Sequence, residues 1–176
     1  MLAALKNIGP NVAYGVDQDT ALYPNGDVAT VYGSGGVFVA EATASNFGSG
    51  SRFSASNVRL SYLTAGDSFK FSDRTITTSK SKLIGSATGA YQFNSALNSS
   101  DIFAVDASGI GSTSATFKHM IDQTPTSSTG TAPSDSYNPL SFVLTFKRDA
   151  ATRGYKNATG AYAGPYTIVK ALVDVN

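Results

Sequence analysis

Val58-Arg59-Leu60-Ser61-Tyr62 alternates apolar and polar residues one by one. In an extended chain successive side chains point to opposite faces, so Val58, Leu60 and Tyr62 share one face and Arg59 and Ser61 the other. The expectation is a strand with one face buried and the other in water.

The same period recurs on both sides of this run. Candidate strands are Asn11 to Asp17, Asp27 to Tyr32, Gly36 to Ala44, Asn57 to Leu63, Ser68 to Phe71, Thr75 to Thr78, Ala90 to Phe93, Ile102 to Val105, Ala115 to Met120, Ser141 to Lys147 and Tyr166 to Val175. Gly, Pro, Asn and Ser separate them, as turns require. In Tyr23-Pro24-Asn25-Gly26-Asp27 the Asn-Gly pair tolerates the positive φ of a tight turn and lies between two β-prone runs, so a hairpin is expected there. The closing run has Pro165 where a helix would start and Ile168, Val169, Leu172 and Val173 at helical spacing, yet its β-branched content favours a strand. Ala115 to Ile121 is the other place where a short helix fits. Ser45 to Ser56 and Thr124 to Pro139 are polar and without period, so they read as long loops. Short, regularly spaced strands joined by polar turns predict an all-β fold: one domain over residues 1–176, an antiparallel β-sandwich of jelly-roll or Ig-like type, with little helix.

Composition narrows the function classes. The 176 residues suit one domain, and 41% hydrophobic residues with nine Tyr and ten Phe are too many for a disordered chain. No apolar run approaches the ~18 residues of a membrane helix, so no membrane insertion is expected. Met1-Leu-Ala-Ala-Leu-Lys6 reaches Gly9-Pro10 too soon for the apolar region of a secretory leader. There is no cysteine, hence no disulfide framework and no thiolate chemistry. The net charge is +1, without the basic excess typical of nucleic-acid-binding domains.

Chemistry-bearing residues are scarce. With His119 the only histidine and Glu41 the only glutamate, acid–base schemes have little to draw on. A Ser-His-Asp triad would have to use His119, and no Gly-x-Ser-x-Gly elbow is present. A glycosidase could find its carboxyls among the Asp residues, but Trp, the usual sugar platform, is absent. Gly109-Ile110-Gly111 lacks the third glycine and the crossover helix of a dinucleotide site. Gly33-Ser34-Gly35-Gly36 lacks the Lys of a phosphate-binding loop, and both read as turns. Asn98-Ser-Ser and Asn157-Ala-Thr match the glycosylation triplet, which arises by chance in so Ser- and Thr-rich a chain. Asp17, Asp19 and Asp27 form the one acidic group with a calcium-like look, although no bidentate Glu closes it; solvated turn residues are the plainer reading. No catalytic residue and no cofactor are expected.

Charge distribution carries more than net charge. Arg52, Arg59, Lys70, Arg74, Lys80 and Lys82 face only Asp67 and Asp73 between positions 52 and 82, with Phe53, Tyr62, Phe69 and Phe71 interleaved. A sheet face of this kind neutralises phosphate and stacks bases; ordinary pleating, with Phe69 and Phe71 inward and Lys70 outward, explains the same pattern.

Ser, Thr and Gly fill 58 of the 176 positions and charged residues only 14%. Weak charge reduces repulsion between identical copies, small residues pack closely, and Tyr favours interfaces. The expectation is therefore a non-enzymatic, self-assembling structural subunit. Its first form is a virion coat protein holding nucleic acid against the six basic residues. Its second is an extracellular, pilus-like filament subunit that exchanges strands, with Met1 to Tyr14 as donor or Tyr166 to Val175 as edge. A carbohydrate-binding β-sandwich module is the alternative from another class.

Overall fold

The computed structural model describes residues 1–9, 11–79, 82–85, 98–99, 127–132, 142–147, 149–157 and 166–176. In chain order the elements are α1 (Leu2–Ile8), β1 (Val12–Val16), β2 (Thr20–Asn25), β3 (Val28–Gly33), β4 (Gly36–Glu41), a 3-10 turn (Ala44–Asn46), β5 (Ala55–Thr64), β6 (Ser68–Lys70), β7 (Ile76–Thr77), β8 (Lys82–Gly85), β9 (Asn98–Ser99), β10 (Ser127–Ala132), β11 (Phe142–Lys147), β12 (Arg153–Asn157) and β13 (Thr167–Val175). They form two sheets. The larger runs β1-β4-β5-β13-β11-β10-β9, with β12 pairing both β13 and β8, and the smaller runs β2-β3-β6-β7. All pairings are antiparallel except that of β9 with β10. The fold is all-β and sandwich-like, with one short α-helix among the described residues.

Pleating assigns the two cores. Val37 and Val39 of β4 and Leu63 of β5 point to one face of the larger sheet and meet Val31 and Phe69 of the smaller sheet, all fully buried. Ala40 of β4, Leu60 and Tyr62 of β5, and Ile168, Ala171 and Val173 of β13 point to the other face, where Leu5 of α1 and the partly buried Phe47 and Phe53 cover them. The centre of the larger sheet is thus buried on both faces.

This overturns the expected wet face at β5. Ser61 is completely buried, and its hydroxyl accepts the backbone N–H of Lys170 at 2.9 Å. Lys170 has a positive φ of 56° at a register shift in β13, between Ile168 and Ala171. The irregularity leaves backbone groups that side chains supply with partners: Arg59 Nη1 of β5 and the hydroxyl of Thr152, just before β12, donate to the Lys170 carbonyl at 3.0 and 3.2 Å.

The expected hairpin forms with its loop one residue later. Asn25 pairs with Val28, so Gly26 and Asp27 make the two-residue loop. Only Gly26 takes a positive φ, 61°, which is the glycine-first pattern of a II′ turn. Gly36 is needed for a different reason: a Cβ there would sit 2.4 Å from the Tyr62 ring.

Three expectations change. The Thr124 to Pro139 loop contains β10, whose Ser-Thr-Gly sequence has no apolar alternation but pairs with β11 along its whole length. The Ser45 to Ser56 loop is tied down, because the Asn46 amide donates to the carbonyls of Ser56 and Asn57 at 2.8 and 3.2 Å, and Ala55 already belongs to β5. The N-terminal segment is a helix of good helix formers, ended by Gly9 in the left-handed region with its N–H on the Leu5 carbonyl at 3.1 Å. The closing segment is the strand β13, as expected. Candidate strands at Ala90 to Phe93, Ile102 to Val105 and Ala115 to Met120 lie outside the described residues, as does His119.

Candidate assembly edge and charged surface

Among the described strands, β1 ends the larger sheet on one side, as β9 does on the other. Asp17 donates its N–H to the Gly36 carbonyl at 3.0 Å and Asn11 accepts from Ala42 at 3.0 Å. In an antiparallel ladder hydrogen-bonded pairs alternate with non-bonded ones, so 11, 13, 15 and 17 bond inward to β4. Val12, Tyr14 and Val16 consequently point their N–H and C=O groups away from β4, and among the described residues no backbone group bonds to them.

Edge strands are usually blunted by shortness, proline, charge or a bulge. β7 and β9 are two residues long, and β2 carries Pro24. β1 has none of these devices: Val-Ala-Tyr-Gly-Val is uncharged and pairs with β4 without a register shift. Its side chains are also partly bare. Tyr14 is 37% and Val16 50% exposed, and Tyr14 lies edge-on to Phe69 and Phe71, the latter itself 39% exposed. Burial raises the Tyr14 phenol above its ordinary pKa, the nearby Glu41 adds to this, and Arg74 opposes it.

The basic residues do not share one face. Arg59 stands on β5 of the larger sheet, Lys70 on β6 of the smaller sheet, and Arg74 in the turn after β6. Arg52 precedes β5 and lies 5.5 Å from the Phe142 ring centre. Lys82 begins β8; its side chain and Lys80 lie outside the described residues. Three of the cations are paired with carboxylates: Arg59 with Asp149 at 2.7 Å, Lys70 with Asp73 at 2.9 Å and Arg74 with Glu41 at 3.7 Å. The Lys70 ammonium and the Thr75 side chain and N–H hold Asp73 at about 2.

Register does assemble one charged row that sequence spacing alone hides. Glu41 of β4, Arg59 of β5, Leu172 of β13 and Lys147 of β11 are directly opposed in turn, so their side chains share a face. Asp149 pairs Arg59, and Asp174 pairs Lys147.

Two of the acidic candidates, Asp17 and Asp27, tie strands and turns through their carboxylates. Asp17 accepts from the Gly36 N–H at 3.1 Å and the Tyr62 hydroxyl at 2.9 Å. Burial, with Asp17 adding to it, pushes the Tyr62 phenol far above its usual range. Asp19 has φ 53° and its carbonyl accepts from Ser34. Asp27 accepts from the N–H and the hydroxyl of Ser72. Asp19 and Asp27 flank β2 at opposite ends, separated by roughly 20 Å at the rise of a six-residue strand. Among the described residues no group of three His, Cys, Asp or Glu is placed to hold a metal ion. Tyr23 and Tyr32, exposed on the outer face of the smaller sheet, meet edge to face at 78° rather than as one flat platform. No helix among the described residues is long and apolar enough to cross a membrane.

No protein-family model, curated protein or solved structure matches this chain.

Proposed function

We propose that this chain is a non-enzymatic structural subunit that assembles with copies of itself by strand addition. The β1 edge carries this reading. Val12, Tyr14 and Val16 offer backbone donors and acceptors that no described residue pairs, on an uncharged, unbulged strand beside partly exposed aromatic rings. Backbone bonding supplies affinity without charge, which suits a chain whose charged residues are few.

A virion coat packed against nucleic acid is the form favoured by the Arg59 and Lys147 row. Both side chains are about one-third exposed, at 32% and 33%. Phosphate there would compete with Asp149 and Asp174. The test is negative-stain electron microscopy with light scattering over a concentration series. Closed shells with nuclease-sensitive absorbance at ~260 nm support the coat form, filaments support the pilus-like form, discrete dimers support strand addition and overturn both larger forms, and a monomer at every concentration overturns self-assembly.

A further inference from the structure

Resting on that reading, we infer that the occupant of the β1 edge is β1 of a second copy, antiparallel, on a twofold axis through Tyr14. The outward-bonding residues Val12, Tyr14 and Val16 are symmetric about Tyr14. Turning a second β1 antiparallel therefore sets Tyr14 against Tyr14 of the second copy, and Val12 against its Val16. Every outward N–H and C=O of the three residues then finds a partner, and two larger sheets become one continuous sheet.

Three features fit a self-pairing strand better than a foreign one. An isologous contact sets a strand's charges against its own equivalents, and β1 has none from Val12 to Val16. One step beyond the strand, the same register sets Asp17 against Asn11 of the second copy, a carboxylate facing an amide. The partly exposed rings of Tyr14 and Phe71 lie 6.2 Å apart beside the axis, so the twofold brings two such pairs together as an apolar patch.

Because the chain has no cysteine, introduced thiols report the register cleanly. Antiparallel pairs stand about 4.5–5.5 Å apart, within disulfide reach, whereas residues four positions out of register are beyond it. Tyr14→Cys should cross-link to itself in mild oxidant, Val16→Cys alone should not, and a mixture of Val12→Cys and Val16→Cys chains should give the mixed dimer. If Tyr14→Cys fails to fold, the mixed pair still decides. Assembly of the unmodified chain without these cross-links, or self-cross-linking through Val16→Cys, overturns the twofold at Tyr14 and leaves self-assembly standing. A chain that is monomeric throughout overturns the self-assembly reading itself.

Discussion

Arg59 and Asp149, 90 residues apart in sequence, meet through two hydrogen bonds of 2.9 and 2.7 Å. The pair does more than neutralise charge. Arg59 also donates to the Lys170 carbonyl, while Asp149 accepts from the Ala151 N–H at 2.9 Å and from the Thr152 hydroxyl. The β5 strand, the β11–β12 connection and the irregular centre of β13 are thereby fastened at one point.

That fastening has a pH signature. The Arg59 guanidinium, followed by the Ala151 N–H and the Thr152 hydroxyl, holds the Asp149 carboxyl well below the ordinary carboxylate range. A carboxyl whose folded value is depressed stabilises the fold fully above its unfolded value, about 4, and loses that contribution as pH falls further. Asp149→Asn should therefore cost about 1 kcal/mol near neutrality, scaled for a one-third-exposed pair, and the two proteins should converge in acid. Urea titrations at several pH values check this; parallel curves down to strong acid would contradict it.

A second fastening lies inside. Asp67 is fully buried and accepts from the backbone N–H groups of Thr64 and Ser79 at 2.8 and 3.0 Å and from the Thr167 hydroxyl. Asp67→Ala removes the acceptor that these three donors share, in a site where Thr64 and Thr167 are buried, and should cost about 3 kcal/mol or more. A midpoint shift in denaturant measures it.

Glu41 behaves differently. Its side chain is only 10% exposed, its Oε2 is 3.7 Å from Arg74, and among the described residues its Oε1 has no hydrogen-bond partner. The cost of desolvating this carboxylate works against its attraction to Arg74 and to Arg59, its cross-strand neighbour. Glu41→Gln, with the same shape and no charge, should change stability by less than about 1 kcal/mol or raise it. Thermal unfolding of the variant decides, and a large loss would show that Arg74 depends on the full charge.

These residues also show what is legible in sequence. Period-two alternation and β-branched content locate β1, β3, β4, β5, β6, β7, β11 and β13, although β4 and β5 are buried on both faces. It does not locate β10, whose Ser-Ser-Thr-Gly-Thr-Ala is held as a strand by the ladder to β11. Ser61 reads as solvent-facing because a polar residue on an alternating strand usually is; it shares the face of Val37, Val39 and Leu63 that the smaller sheet covers, and its hydroxyl is used by Lys170, 109 residues away. α1 had a usable signal, a run of Leu and Ala closed by Gly-Pro, which is a helix stop. The β1 edge is invisible until strand order is known, since an edge is a property of topology. The basic stretch from Arg52 to Lys82 looked like one surface because its residues are near in sequence, yet the chain leaves the larger sheet after β5 for the smaller one.

The decisive measurement is the assembly state of Val16→Pro beside the unmodified chain, by light scattering and electron microscopy. The Val16 N–H points away from β4, so proline removes an outward donor and leaves the β1–β4 ladder bonds in place. Assembly of the unmodified chain, with Val16→Pro folded but monomeric, is the predicted result. Equal assembly by both proteins, or by neither, would contradict strand addition at β1.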